Sequence, residues 1–381
     1  MTEEYNTIER VTALSEIENI FEKLVALYSP KIVGEQNNIK FLYCVAISKD
    51  LPRDYRLHAI IQSQSSAGKS NLVNTILSAF SDSVLDYTEF TNAYLNRSQS
   101  NYDGYIFKLE QMEKTNQDRQ LTLGNLKPLL SEGKLRIGLV DKDNKGKNQS
   151  KLLEVDGIPV FITTSTKYNI DQEALNRTFQ MQIDESQEQT KRVIRHTLNQ
   201  YGKINFDNAW NDNLTELIDI TKTYSAIASQ FKVIAIPFAE KLMDIIPSAN
   251  ITMRRDLAKI LNLTCVIAFL NFHKRKKIPT GEKGHFYDNL EAKPMNYWIL
   301  LAGTEDFFQA MKIGGETIQQ TLNKLNEPAT RIYNVAQGLL TSHTEEGITN
   351  KQIAEATGLS QNRVGEITKH LYEMGYFTRK R

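Results

Sequence analysis

The sequence predicts an α/β core preceded by N-terminal helices and followed by a helical segment and a small C-terminal helical domain. Short apolar runs typical of strands alternate with helical periodicity between residues 57 and 163. A Gly-Lys-Ser sequence lies between the first of these runs and the next helical pattern. After Ala235 the strand pattern ends, and three short helical patterns follow Ala329. The expected segments are 1–55, 56–235, 236–326 and 327–381.

The composition excludes several classes of protein. Lys and Arg number 46 against 45 Asp and Glu, so nucleic-acid contacts would depend on local basic clusters. The two cysteines, Cys44 and Cys265, stand far apart, which excludes a Cys-rich zinc site and argues against a disulfide framework. The apolar stretch 265–270 is shorter than the roughly 20 residues of a membrane span, and residues 1–8 lack a secretory pattern. We therefore expect a soluble, cytoplasmic protein with no membrane partner.

The elements follow from periodicity and from turn residues. Apolar residues recur at helical spacing over 14–27, and residues 39–47 are apolar enough for a second helix. The expected strands are 57–61, 105–109, 135–140, 151–155 and 158–163. The helices expected after Ala235 cover 237–246, 252–274 and 296–322.

The loop from Ser63 to Ser70 joins a predicted strand to a predicted helix, which is the context a phosphate-binding P-loop requires. Backbone N–H groups near its end would cradle phosphates, while Lys69 would reach the β- and γ-phosphates and Ser70 would hold Mg²⁺. Ser63 stands where the motif usually begins with glycine, and a chance match in a surface turn is the alternative. The expected cofactors are therefore ATP and Mg²⁺. The candidate nucleotide-binding residues are Ser66, Ala67, Gly68, Lys69, Ser70 and Asn71.

A P-loop ATPase also needs a carboxylate at the end of a neighbouring strand. Glu110 follows an apolar run and is the first candidate, although Leu109 occupies the place of the usual metal-binding Asp. Glu113 is an alternative acid, and an ordinary solvated Glu is the other interpretation. In the strand over 158–163 and its end, the hydroxyls of Thr163, Thr164 and Ser165 are candidates to sense the γ-phosphate.

Arg177 follows this hydroxyl-rich strand and could act on the γ-phosphate of a neighbouring subunit. An arginine supplied in trans makes hydrolysis depend on assembly, so the protein would form a ring or filament. An ordinary surface arginine is the alternative interpretation.

The order of these elements resembles the AAA+ module of minichromosome-maintenance (MCM) helicases and, more closely, the helicase part of phage and mobile-element primase-helicases. The resemblance spans about 32–190 and is carried by the segments 32–35, 59–70, 129–133, 161–164, 175–177 and 183–190. It implies that Glu110 is the catalytic acid, Thr164 the first sensor and Arg177 the finger in a hexameric ring. It further implies that Arg254 or Arg255 is a second sensor. Because a zinc-finger primase half is absent, priming would need a separate primase or polymerase.

Two regions are candidates for DNA contact in the core and the helical segment. A polar hairpin tip between two predicted strands carries four candidate phosphate ligands, Lys142, Lys145, Lys147 and Lys151. A solvated turn is an equally good interpretation, because Asp141 and Asp143 dilute the charge. The basic run 273–277 is better explained as a charged helix end.

The tail from Ala329 predicts a winged helix-turn-helix. Thr349 and Gln352 form a capping-box start for its second helix, and residues 358–360 turn the chain into the third. The third helix would face inward with Val364, Ile367 and Leu371. The candidate DNA-binding residues here are Asn362, Arg363, Lys369 and Arg379. A protein-docking role is the alternative, since fold alone does not fix function.

Together these features predict an ATP-dependent DNA helicase that acts on single-stranded or forked DNA during replication of a mobile element, phage or plasmid. The main alternative is an ATP-switched replication initiator or loader that binds DNA without unwinding it. A third interpretation is an AAA+ remodeller of proteins, which would not bind DNA.

Overall fold

The computed structural model divides the chain into two compact units, Met1–Ile318 and Gln319–Arg381. Each unit has a hydrophobic cluster of its own. The residues that the structure describes are 10–63, 68–87, 101–109, 129, 132–142, 148–165, 177–202, 209–244, 253–288, 291–323, 331–336, 339 and 347–373.

Helices precede and follow the first described strand, and six strands then follow one another along the chain before the next described α-helix. The strands are β1 (Ala59–Gln62), β2 (Val84–Tyr87), β3 (Ile106–Leu109), β4 (Lys134–Lys142), β5 (Asn148–Asp156), β6 (Val160–Ser165), β7 (Phe179–Gln182), β8 (Phe231–Ala235), β9 (Lys277–Asp288) and β10 (Glu291–Leu301). The α-helices are α1 (Ile20–Tyr28), α2 (Gln36–Ile47), α3 (Lys69–Leu77), α4 (Gln187–Tyr201), α5 (Ala209–Ala228), α6 (Met253–Leu270), α7 (Thr304–Asn323), α8 (Asn350–Thr357) and α9 (Gln361–Glu373). Short 3₁₀ helices cover Ser48–Asp50, Arg53–Tyr55, Ser78–Ser83, Ala239–Asp244 and Phe272–Lys274.

A parallel five-stranded sheet in the order β2-β3-β6-β1-β7 forms the centre of the first unit. Every residue of β1 and of β6 is buried, as expected for strands of a parallel sheet that is covered on both faces. Because all five strands run the same way, the loops that follow β1, β3 and β6 leave the sheet at one edge. The prediction of an α/β core is confirmed.

The helix predicted over 14–27 is interrupted: residues 10–16 are helical, residues 17–19 are not, and α1 begins at Ile20, while the second predicted helix is present as α2. Asn19 caps α1 by accepting hydrogen bonds from the backbone N–H groups of Phe21 and Glu22. Helix α2 is buried from Phe41 to its last residue, and the ring of Phe41 packs edge-on against Phe179 of β7, 4.9 Å between centroids. The apolar run at 39–47 therefore covers the central sheet.

An antiparallel hairpin, β4–β5, stands between β3 and β6 in the chain. Its strands have nine residues each, which corresponds to a length of about 30 Å. At the base of the hairpin Leu135 and Val155 are buried in one cluster with Phe107 and Phe161 of the central sheet. The two strands predicted here are confirmed and are longer than expected.

The expectation that strands end after Ala235 is wrong. β8, β10 and β9 form a second sheet in that order, with β10 parallel to β8 and antiparallel to β9. The segment 296–301, predicted as the start of a helix, is the end of β10, where Ile299 pairs with Ile278 and Val233. The apolar run of β10 has no clear period, its parallel partner β8 is distant in the chain, and its hairpin partner β9 is largely polar, so local periodicity could not reveal the sheet.

All three helices predicted after Ala235 are modified. Residues 239–244 form a 3₁₀ helix in place of the start of an α-helix at 237–246. The helix predicted over 252–274 ends at Leu270, and a 3₁₀ turn, Phe272–Lys274, follows it. The helix predicted over 296–322 begins only at Thr304.

The second unit contains α8, α9 and the helical residues 331–336. Thr349 and Gln352 form the predicted capping box, and Gly358 ends α8 with a φ of 70°. The cluster at its centre is made of Ile332, Ala336, Ile353, Val364, Ile367 and Leu371. The predicted inward face of α9 is therefore confirmed, while residues 374–381 lie outside the described residues.

Candidate functional site

The loop between β1 and α3 brings a lysine back over its own start. Lys69, the first residue of α3, is 9% exposed, and its Nζ donates hydrogen bonds to the Ser63 carbonyl oxygen at 2.7 Å and to the Ser63 hydroxyl at 3.2 Å. Gly68, immediately before it, has a φ of 94°, in the left-handed region that favours glycine. Ser63, where the motif usually has glycine, therefore provides two acceptors that hold the lysine.

The start of α3 is suited to an anion. The first N–H groups of a helix have no partners within the helix, and its dipole favours negative charge there. Ser70 is exposed in this first turn. Asn71 is also exposed, and its amide donates to the Lys31 carbonyl oxygen at 3.4 Å, which links α3 to the segment after α1. Ser66 and Ala67 lie outside the described residues.

The predicted sensor strand lies between the P-loop strand and β3. The hydroxyl of Thr163 donates to the Leu109 carbonyl oxygen at 2.9 Å, so this side chain joins β6 to the last residue of β3. Thr164 is 6% exposed and pairs with Ile61. The Ser165 carbonyl oxygen accepts a hydrogen bond from Ser63 N at 3.2 Å.

The ends of β1, β3 and β6 therefore meet beside the P-loop. Glu110 follows Leu109, the last residue of β3, in the chain. Glu110 and the alternative acid Glu113 both lie outside the described residues.

Arg177 lies where the amino ends of the strands meet, on the side of the sheet opposite the P-loop. It precedes β7 by two residues, and β7 pairs with β1 in parallel, with Phe179 beside Ala59 at the amino ends of both strands. The P-loop leaves the carboxyl end of β1, a strand length of about 10 Å away. Arg177 lines a cavity of ≈ 260 Å³ at the amino edge together with His58 and Lys259. The fold therefore separates Arg177 from the P-loop of its own chain.

A charged network adjoins this cavity. The Asp103 carboxylate accepts hydrogen bonds from the guanidinium groups of Arg53 and Arg56 and from the Ile158 N–H at 3.0 Å. Burial raises the pKa of Asp103, but these donors outweigh it and hold the pKa below its usual value. The network neutralises two of the arginines beside Arg177.

A second cavity, of ≈ 480 Å³, adjoins the start of α3. Two segments on which the resemblance rests, 32–35 and 183–190, meet there. Glu35, with a φ of 56°, accepts a hydrogen bond from Asp184 N at 2.9 Å. Burial raises the pKa of Glu35, against the hydrogen bonds from Asp184 and Asn38. Asn38 also donates to the Gln182 carbonyl oxygen at 2.8 Å, so the wall of this cavity is tied to the end of β7.

The sequence did not assign a role to Gln189 in this cavity. It is 5% exposed, and its Nε2 donates to the Val33 carbonyl oxygen at 2.6 Å. The Val-Gly pair at 33–34 is the sequence feature that could have indicated this contact. Gly34 has a φ of 69°, and an added Cβ would lie 2.5 Å from Gln189 Oε1. That signal acquires meaning only once the tertiary contact is known.

The candidate second sensors and hairpin lysines are described in part. Arg254 and Arg255 belong to the first turn of α6. Lys142 belongs to β4 and Lys151 to β5. The structure does not describe the side chains of these four residues. Lys145 and Lys147 lie wholly outside the described residues.

Among the C-terminal candidates, Asn362, Arg363 and Lys369 are exposed on α9. Arg363 also forms an ion pair with Glu366 at 3.2 Å. Arg379 lies outside the described residues.

The basic run 273–277 is largely engaged in structure. Arg275 pairs with the buried Asp306 at 2.6 Å, and Lys277 lies over the ring of Phe272, 5.1 Å from its centroid. Burial and the neighbouring cations lower the pKa of His273. This supports the structural interpretation of the run over a DNA-binding one.

The sequence matches the family described as the MTBMA_p00010 P-loop domain over residues 7–217, more than half of the chain. The chain belongs to this P-loop family. The match covers α1 to α4 and the whole central sheet, and it includes the loop at Ser63–Ser70. No curated protein matches the sequence.

Members of a P-loop family bind nucleotide with Mg²⁺. Within the residues that the structure describes, His, Cys, Asp and Glu side chains form no cluster of three or more that could hold a metal. The exposed Ser70 hydroxyl suits the usual arrangement, in which Mg²⁺ is shared between one protein oxygen and phosphate oxygens. Among the described helices, none has both the length and the apolar character needed to cross a bilayer.

Proposed function

We propose that this chain is an ATP-dependent DNA helicase that works as a head-to-tail ring, like the MCM-like AAA+ motors it resembles, in the replication of a mobile element, phage or plasmid. Residues 56–235 would be the motor, 236–326 its lid and 327–381 a winged helix-turn-helix. Lys69 and Ser70 bind the triphosphate and its Mg²⁺, and Glu110 or Glu113 is the acid.

The observation that carries this proposal is the position of Arg177. It lies at the amino edge of the sheet, a strand length away from its own P-loop. An arginine in that place can reach a γ-phosphate only if a neighbouring subunit presents one. Head-to-tail contacts of this kind generate rings when the rotation closes. Because ring motors thread a strand through their centre, the proposal extends to DNA.

The β4–β5 hairpin supports the DNA-binding part of the proposal. It is anchored at its base by Leu135 and Val155 and is about 30 Å long. Its tip lies between Lys142 and Asn148, which form the last pair of the ladder. Lysines at such a tip can pair with phosphates without reading sequence.

The first experiment is strand displacement on a forked DNA with ATP and Mg²⁺. Native protein should separate the strands, and Lys69→Ala should not, because the variant loses the charge that meets the phosphates. ATP hydrolysis without displacement by native protein would contradict the helicase and favour the initiator or loader.

A second experiment tests the arginine in trans. Lys69→Ala lacks a working P-loop but keeps its finger, while Arg177→Ala has the reverse defect. Each variant alone should be inactive as an ATPase, and an equal mixture should recover about a quarter of native activity, since one interface in four pairs a good P-loop with a good finger. A mixture that stays inactive would refute action in trans.

The alternative of an initiator or loader is favoured by one observation. The second unit has its own core and presents Asn362, Arg363 and Lys369 on an exposed face of α9. Such a unit could bind DNA without the motor. Replacing Lys145 and Lys147 with Ala should abolish unwinding by a helicase but spare DNA binding by an initiator.

A further inference from the structure

Helix α4 buries very little of its surface. It has 15 residues, and only Gln189 among them is buried. A helix of this length is marginal in water by itself, because most helical stability in proteins comes from packing an apolar face. Three large apolar side chains of α4 are nevertheless exposed: Ile194 by 53%, Leu198 by 66% and Tyr201 by 89%. Such a surface is typical of a helix that binds another protein.

The exposed apolar residues of α4 form one stripe with positive charge beside it. Positions 194, 198 and 201 follow helical spacing, so their side chains lie on one side of the helix. Lys191 and Arg195 border this stripe, and both are exposed and form no ion pair within the described part of the chain. Arg192, on another side of α4, already pairs with Asp184 at 3.5 Å.

A groove of ≈ 760 Å³ lies between the helical residues 10–16, α1 and α5, and we call it the N-terminal groove. It shares no residue with α4. Its wall includes the buried side chains of Leu14 and Ile220 and the half-buried Ile17. A groove with an apolar wall between helices is a common seat for the apolar face of another helix.

The rim of the N-terminal groove is negative. Two of its acids are neutralised by ion pairs, Asp219 with Arg10 at 3.6 Å and Glu216 with Lys23 at 2.6 Å. The other acids of the rim are exposed and form no ion pair among the residues that the structure describes: Glu16, Glu18 and Glu22. The groove therefore has the charge opposite to that beside the stripe of α4.

We propose that the N-terminal groove of one copy of this chain binds α4 of a second copy. The stripe of α4 packs against the apolar wall, and Lys191 and Arg195 face the unpaired acids of the rim. Apolar character and charge both match, which is why the occupant is a second copy of this chain. Because the two surfaces belong to different parts of the chain, the contact can repeat from one subunit to the next.

The contact would also reach the P-loop. Val193 and Thr197 of α4 line the cavity that adjoins the start of α3, so the groove of one subunit would hold a wall of the next subunit's cavity. This inference deepens the proposed function, since it names the contact that would build the ring.

The test is an exchange of charges, followed by sedimentation velocity of the full chain with AMP-PNP and Mg²⁺. Native protein should form oligomers. Lys191→Glu with Arg195→Glu should raise the dissociation constant at least about tenfold, because like charges then face each other. Glu16→Lys with Glu22→Lys should have the same effect. Combining all four substitutions should restore assembly to within about threefold of native, which a folding defect in either pair could not do.

Two further variants complete the test. Leu198→Ser removes an exposed apolar side chain from the stripe and should also raise the dissociation constant about tenfold. The matched control, Lys312→Glu with Lys351→Glu, reverses two exposed lysines on α7 and α8, outside both surfaces, and should assemble like native protein.

The outcomes separate this inference from the proposed function. Native oligomers that neither charge-reversed pair weakens would overturn the contact and leave the ring to another interface. Failure of the combined variant to reassemble would also overturn it. Oligomers that respond as expected but do not separate DNA strands would support the contact and contradict the helicase. A native chain that stays monomeric would overturn both.

Discussion

Asp103 should contribute far more to stability than Asp156, although both carboxylates pair with Arg53. The Asp103 side chain is 28% exposed and also binds Arg56, whose side chain is 7% exposed, and the Ile158 N–H. Asp156 is 43% exposed and its ion pair with Arg53 is 3.2 Å long. Asp103→Ala would therefore leave the buried Arg56 guanidinium without its carboxylate partner and the Ile158 N–H without its acceptor.

Asp103→Ala should lower the free energy of unfolding by about 3–5 kcal/mol, because removing one partner of a buried ion pair leaves the other charge uncompensated. Asp156→Ala should lower the free energy of unfolding by at most about 1 kcal/mol, since solvent screens the exposed ion pair. Urea unfolding followed by tryptophan fluorescence measures this difference. Both tryptophans, Trp210 and Trp298, lie in the first unit, so the signal reports on the unit that contains the network.

The difference should also depend on pH. The pKa of Asp103 is lowered in the folded state, so its contribution is present above the unfolded pKa of about 3.9 and is lost as the pH falls through the folded value. Native protein and Asp103→Ala should converge in stability below about pH 4. Equal costs for the two Ala variants at pH 7 would refute the reasoning.

Three further predictions concern the sensor strand, a helix cap and the thiols. Thr163→Val should lower ATP turnover with little change in ATP affinity, because it removes the hydrogen bond that fixes the end of β3. It should also lower the free energy of unfolding by about 1 kcal/mol. A variant that changes only ATP affinity would contradict this. Thr349→Ala should speed amide hydrogen exchange in α8 about fivefold, since the capping box contributes about 1 kcal/mol; unchanged exchange would argue against the cap. Cys44 and Cys265 should resist a thiol reagent at pH 8 until urea unfolds the chain, because both are buried and burial raises their pKa, that of Cys265 to about 12; fast reaction of either native thiol would contradict this.

The P-loop and three of the five central strands, β1, β3 and β6, were predictable because their signals are local, whereas β2 and β7 were not predicted. A strand, a Gly-Lys-Ser loop and a helix follow one another within 59–77, and the fold of this stretch depends on nearest neighbours along the chain. The strands β1 and β6 are buried on both faces, and strands of this kind are recognisable in the sequence as apolar runs. The same holds for α8, whose capping box is four residues long.

The second sheet was missed because one of its pairings is distant in the chain and the other involves a strand without an apolar pattern. β10 pairs with β8 across more than 60 residues of chain, and β9 is largely polar. An apolar run such as 297–301 is compatible with a helix or a strand until its partners are known. The prediction of a wholly helical segment followed the local pattern and was wrong.

By itself the sequence predicted the strand, loop and helix of the P-loop, the α/β class of the core with three of its five central strands, and the inward face of α9, because each depends on the order and period of neighbouring residues. Only the tertiary structure placed Arg177 at the sheet edge opposite the P-loop and Gln189 against Val33. These two placements join residues far apart in the chain. A side chain acquires such a role from the packing of whole elements, which leaves no local pattern to recognise.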